Sequence, residues 1–232
     1  MNSRLSILTD LQQLGPQLSV GLLTADMMNL SSAINLLESS GIRMLHFDVM
    51  DGRIWPKLTA GAPFMAGLRH NMLNDVHLLI ADPENHVKAF AEAGADMISF
   101  SVEDASDIGL VLDRIEKCQN TRYPNRSILR GVSLNPETPV SVLKPYLDRI
   151  DYVVLLAVGP NTGKQTFFEN LPNKIAALRS NNPNIFITLD GGIRKDNVRE
   201  IAHLGIDCLV TGSAVFDGKD ASGNLAAMLA AL

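Results

Sequence analysis

With 232 residues, 46% of them apolar and 19% charged, the chain can bury a substantial core, and its composition excludes a disordered polypeptide. A net charge of −5 without a basic run argues against a nucleic-acid partner. The densest basic cluster, Arg122, Arg126 and Arg130, contains Pro124 and reads as a loop entering a strand. No charged segment leads into an apolar signal-like stretch, and no apolar span reaches membrane length. The expectation is a soluble cytoplasmic protein with no membrane partner. Cys118 and Cys208 show no CxxC pattern and are expected as free thiols.

Residues 1–16 carry Leu5, Leu8, Leu11 and Leu14 at helical spacing before Gly15-Pro16, which predicts an N-terminal helical extension covering one end of the domain. Beyond it, apolar runs predict buried strands at 18–23, 43–49, 75–80, 96–101, 128–134, 151–157, 185–190 and 207–211. Between and after them, amphipathic stretches predict helices at 29–40, 63–72, 84–93, 105–119, 138–147, 167–180, 194–204 and 222–231. Ser-Gly-Ile-Arg at 40–43, Ala-Gly-Ala-Asp at 93–96 and Leu-Gly-Ile-Asp at 204–207 repeat one helix-to-strand join, with glycine as the helix cap. Eight such units with continuously apolar strands predict an α/β fold, a (β/α)8 TIM barrel forming one domain over 1–232. A doubly wound open sheet is the alternative, disfavoured because no Gly-x-Gly-x-x-Gly follows the first strand.

Chemistry in such a barrel belongs at the carboxyl ends of the strands. His46 and Asp48 lie at i and i+2 of one strand and share a face. The turn Asp51-Gly52 and Pro56 close that strand. As a pair, His46 and Asp48 fit either a metal site or a hydrogen-bonded structural contact. His77 and Asp190 come from two further strands and complete a plausible ligand set for Zn2+, Fe2+, Mn2+ or Co2+. His70, His86 and His203 fall on helical stretches and read as surface groups. Gly191-Gly192 after strand 7 and Gly212-Ser213-Ala214 after strand 8 stand where barrels hold phosphate, although tight packing turns would use the same residues.

From Leu18 to Phe216 the chain resembles the ribulose-phosphate 3-epimerase family. The segments carrying the resemblance are His46-Phe47-Asp48-Val49-Met50-Asp51-Gly52, Asp75-Val76-His77-Leu78, Asp82-Pro83, Ala91 to Asp96, Leu134 to Pro139, Asp190-Gly191-Gly192-Ile193 and Gly212 to Phe216. The resemblance implies one divalent metal, commonly zinc or iron, on His46, Asp48, His77 and Asp190. It further implies Asp48 and Asp190 as acid and base, and phosphate contacts at Gly191, Gly192, Gly212, Ser213 and Ala214. The implied reaction is 3-epimerisation of a phosphorylated ketose of the ribulose 5-phosphate/xylulose 5-phosphate type, through an enediolate stabilised by the metal. A sugar phosphate is the expected partner, and a homo-oligomer the expected assembly.

The rim departs from the family pattern. Gly21 stands in place of a serine, Lys57 of an asparagine and Ser101 of a histidine. Leu79 and Leu156 replace two of three site-lining methionines, while Met50 is kept. The loop Gly159-Pro160-Asn161-Thr162-Gly163-Lys164-Gln165 retains one glycine of three, Gly163, and adds Lys164, which could reach a phosphate. Two other readings therefore stay open: an epimerase of a different ketose phosphate, or a catalytically idle barrel that binds a sugar phosphate. A decarboxylase or aldolase is disfavoured, since no strand ends in a lysine.

Overall fold

Each of the eight apolar runs forms a parallel strand in the computed structural model, which describes residues 3–160 and 170–232. The strands are β1 (Gln17–Gly21), β2 (Met44–Met50), β3 (Leu73–Leu79), β4 (Met97–Phe100), β5 (Leu129–Leu134), β6 (Tyr152–Leu156), β7 (Phe186–Asp190) and β8 (Cys208–Thr211). They pair in sequence order, and β1 pairs with β8, so the sheet closes into a (β/α)8 barrel. Alternation along each strand divides the core. On β2, Leu45, Phe47 and Val49 join the layer between sheet and helices, whereas Met44 belongs to the barrel interior. The outer helices are α2 (Leu30–Ser39), α3 (Ala62–Gly67), α4 (Val87–Glu92), α5 (Ile108–Lys117), α6 (Leu171–Asn181), α7 (Val198–Ala202) and α8 (Ala221–Leu229). At the three repeated joins Gly41, Gly94 and Gly205 have φ of +82°, +99° and +84°, the left-handed turn expected of a glycine cap.

The N-terminal helix α1 (Ser3–Gln13) covers the amino end of the barrel. Its Leu8 and Leu11 are buried against Met44, Met97, Leu129, Tyr152, Phe186 and Cys208, each the first residue of its strand. Leu14 lies past the end of the helix and is 54% exposed. Interior space here is tight. A Cβ on Gly131 would come within 2.2 Å of the ring of Tyr152, its register partner on β6, so only glycine lets that ring fill the barrel.

A repeated aspartate ties the strands together at the same end. Asp96 accepts a hydrogen bond from Asn74 N at 2.9 Å and Asp151 from Arg130 N at 2.8 Å. Asp207 accepts from Ile187 N at 2.7 Å. Each also binds a guanidinium: Arg122 at 3.0 Å, Arg130 at 3.1 Å and Arg179 at 2.7 Å, respectively.

Two helices differ from expectation. The stretch 138–147 forms a 3-10 helix, Val140–Tyr146, because in an α-helix the ring of Pro145 would clash with the carbonyl four residues back. Helix α3 stops at Gly67, since Leu68 is already extended, so His70 lies in a loop and is half-buried. His86 and His203 are exposed, and both cysteines are free.

Candidate active site

At the carboxyl end of the barrel β2, β3 and β7 bring His46, Asp48, His77 and Asp190 together, with one ligand atom from each within 4.8 Å of the others. His46 Nε2 lies 3.2 Å from Asp48 Oδ1 and 3.8 Å from Asp190 Oδ2. His77 Nδ1 lies 3.2 Å from Asp190 Oδ2 and 3.7 Å from Asp48 Oδ1. The imidazoles meet edge to face, with centroids 5.7 Å apart. The i, i+2 spacing on β2 and the register pairing of Asp48 with His77 account for three of the four.

Burial alone would hold the pKa of His46 down. The negative charges of Asp75 and Asp48, and their hydrogen bonds, outweigh it and raise the pKa well above the ordinary imidazole value. Burial likewise works to lower His77, but hydrogen bonds to Asp190 and Asp48 raise it. For Asp48 burial favours the neutral acid, yet the charge of His46 and hydrogen bonds to both histidines hold it far below the usual carboxylate range.

The two histidines are supported differently. Asp75, the buried register partner of His46 on β3, accepts from its Nδ1 at 2.8 Å and from Ser19 Oγ at 3.0 Å. That bond holds the Nδ1 proton, so Nε2 is the nitrogen that faces the cluster and that would take a metal once its own proton is lost. On His77 the far nitrogen, Nε2, is buried with no hydrogen-bond partner among the described residues. Two aimed imidazole nitrogens and two carboxylate oxygens at one point could hold a divalent metal ion, and the donor chemistry fits one.

Beside the cluster, a cavity of about 470 Å³ is lined by Asp48, Asp190, Gly191, Gly192, Gly212 and Ser213, and also by Gly21, Lys57 and Arg194. Gly191, Gly192, Gly212 and Ser213, four of the residues expected at the phosphate, thus share one space with the two carboxylates. Gly191 and Gly192 have φ of +100° and +70°, and Asn197 Nδ2 donates to Gly192 O at 2.9 Å, which holds this turn. A Cβ on Gly21 would meet nothing closer than 3.9 Å, so the glycine leaves room in the cavity. Met50 pairs with Leu79, and Leu156 with Asp190, at strand ends around the mouth; neither they nor Ala214 lines this cavity. Gly163 and Lys164 lie outside the described residues. A second hollow of about 280 Å³, lined by Leu22, Met27, Leu58 and Phe64 among others, opens on His46 and Asp48.

Four contributors had no part in the sequence-based site: Asp75, Ser19, Thr59 and Arg194. Asp75 was within reach, because it precedes His77 by two and so shares its face. Thr59 Oγ1 donates to Asp48 O at 2.7 Å and accepts from Met50 N at 2.8 Å, tying the loop after β2 to the site. Nothing in the local sequence marks that contact.

A closed parallel barrel with histidines and carboxylates gathered at the carboxyl ends of its strands is the architecture of a TIM-barrel enzyme. The model of the ribulose-phosphate 3 epimerase family matches residues 17–216. The chain is 36% identical over 208 residues to the chloroplastic ribulose-5-phosphate-3-epimerase of Arabidopsis thaliana, covering 87% of this chain and 72% of that one. It is 32% identical over 206 residues to ribulose-phosphate 3-epimerase of Bacillus subtilis, covering 86% and 91%. The chain belongs to the ribulose-phosphate 3-epimerase family and is an isomerase of the epimerase class. Among solved structures it resembles 3-hexulose-6-phosphate synthase from Salmonella typhimurium, with a TM-score of 0.68 and 16% identity, covering 93% of this chain and 98% of that one. At that identity the likeness shows the fold alone.

Proposed function

We propose that this protein is a metal-dependent 3-epimerase of a phosphorylated ketose of the ribulose 5-phosphate/xylulose 5-phosphate type. The observation that carries the reading is the convergence of Asp48 and Asp190 with two histidines at one point beside a glycine-lined cavity. Inverting the carbon next to a ketone requires removing a proton from one face and returning one to the other, hence two carboxylates about a flat enediolate. Asp48 and Asp190 are those proton carriers, and with His46 and His77 they would hold the ion. When bound, a divalent ion supplies Lewis-acid stabilisation of the negative charge that develops on the ketone oxygen. Zn2+ and Fe2+ suit the donor set best, and Mn2+ and Co2+ also match it. Backbone groups at Gly191, Gly192, Gly212, Ser213 and Ala214 hold the phosphate and so position the reacting carbon. Cytoplasmic residence and a homo-oligomeric assembly complete the proposal. Among the described residues no helix is long and apolar enough to cross a membrane.

The test is turnover in deuterated water by metal-loaded protein, offered ribulose 5-phosphate and a panel of other ketopentose and ketohexose phosphates. Deuterium at the epimerised carbon is expected. Label from a ketose phosphate other than ribulose 5-phosphate would keep the reaction and change the substrate. No label from any member would leave only a barrel that binds sugar phosphates.

A further inference from the structure

We infer that Lys57, on the loop after β2, is a specificity-determining residue that binds the phosphate group of the substrate; this rests on the reading of the cavity as a ketose-phosphate site. Lys57 lines the same cavity of about 470 Å³ as Gly191, Gly192, Gly212 and Ser213. Among the described residues its side chain has no hydrogen-bond or ion-pair partner. The loop that carries it is anchored. Thr59 bonds to Asp48 O and Met50 N, and Asp51 pairs back to Leu58 across the loop. The Asp51 carboxylate also accepts from Arg53 N at 2.9 Å and Ala81 N at 3.0 Å. The lysine is thus presented over the cavity by a braced turn.

Charge supplies the reason for a cation at this place. A phosphate enters as a dianion a space already lined by Asp48 and Asp190. Backbone amides give directed hydrogen bonds but no net charge. Arg194 also lines the space, but its Nε is bonded to Asp196 Oδ1 at 3.1 Å, so its charge is shared with a carboxylate. Among the described residues Lys57 has no such carboxylate, and it can offset the repulsion directly, as a point charge on a flexible stem. The consequence is selectivity for the phosphorylated ketose over the free sugar, strongest at low ionic strength.

Calorimetric titration of metal-loaded protein with inorganic phosphate tests this. Lys57→Ala should weaken phosphate binding about tenfold and flatten its salt dependence, the scale of losing one charge-assisted hydrogen bond at an exposed site. Lys57→Arg should keep most of the affinity. With a ketose phosphate that the protein turns over, Lys57→Ala should raise KM by a similar factor and leave kcat in place. Equal phosphate affinity in wild type and Lys57→Ala overturns the inference, as does a wild type that binds no phosphate. Lysine-dependent phosphate binding by a protein that exchanges no deuterium would sink the epimerase reading and keep this one. Deuterium exchange with phosphate affinity indifferent to Lys57 would do the reverse.

Discussion

At the amino end of the barrel Asp96, Asp151 and Asp207 each hold a backbone amide of the preceding strand and a guanidinium; at the carboxyl end Asp48 and Asp190 face imidazoles and an open cavity. Burial does not separate the two sets. The side chains of Asp96, Asp151 and Asp207 are 2%, 8% and 14% exposed, against 20% and 12% for Asp48 and Asp190, so the two ranges overlap. What differs is the partner. An arginine is permanently charged and its fork is matched to a carboxylate, so the amino-end aspartates are neutralised within the fold. A histidine can give up its proton, so the mouth keeps two carboxylates whose countercharge can be supplied by a ligand. The same residue type thus fastens strands at one end and is held ready for chemistry at the other.

The largest expected effect follows from the mouth. Asp48→Asn and Asp190→Asn should each lower epimerisation by about ten-thousand-fold, the upper range for a positioned proton carrier, because inversion needs both faces served. Asp48→Asn should also unfold at a lower temperature than wild type near neutral pH, since it removes the ionised carboxylate that His46 and His77 hold. One of the two variants can still exchange the substrate proton from a single epimer, which deuterium labelling would detect. Near wild-type turnover in either would refute the two-carboxylate mechanism.

Next comes the amino end, where the balance should reverse. Asp96→Ala leaves Arg122, Asn120 and the amide of Asn74 without their shared acceptor. Breaking a buried pair by removing one partner costs about 3–5 kcal/mol. Chemical denaturation should report that loss, while phosphate affinity of the folded protein stays at the wild-type value. A variant as stable as wild type would show that the latch contributes nothing to holding the strands, and the contrast between the two ends would collapse.

How far these ends could be read from the sequence depends on how local each signal is. The barrel was legible because eight apolar runs alternate with helical patterns, and the glycine of each repeated join is visible in three or four letters. Two-residue spacing put His46 and Asp48 on one face but left a metal site and a structural contact equally open. The latch was not legible. Asp96 and Asp207 stand inside the repeated join and were visible as letters, but their arginines come from 26 and 28 residues away and only the fold brings them near. The stretch 138–147 misled because Val140 and Leu143, three apart, suit a 3-10 helix and an α-helix equally, and only Pro145 tells them apart. Lys57 was visible as a departure from the family pattern, but its share in the cavity depends on how Thr59 and Asp51 fold the loop.

A smaller effect than at either end is expected at Asp75, which lies between them. It is almost fully buried, takes Ser19 Oγ and His46 Nδ1 on one oxygen, and has no hydrogen-bond partner for the other among the described residues. Asp75→Asn keeps the shape, and its amide oxygen can still accept from Nδ1, but as a neutral acceptor it holds the imidazole less firmly and makes it a poorer donor to a metal. Loss of such a supporting carboxylate should weaken metal affinity by about 10–100-fold, measured by competition with a chelating dye. Stability of the metal-free protein should fall near neutral pH, since the buried His46 loses the charged partner that raises its pKa. Ser19→Ala removes a hydrogen bond to the same oxygen without touching the imidazole, so it should move metal affinity far less. If Asp75→Asn and Ser19→Ala weaken the metal equally, Asp75 acts through general packing of the barrel interior rather than through His46. If neither does, the asymmetry between the backed His46 and the unbacked His77 has no bearing on the metal.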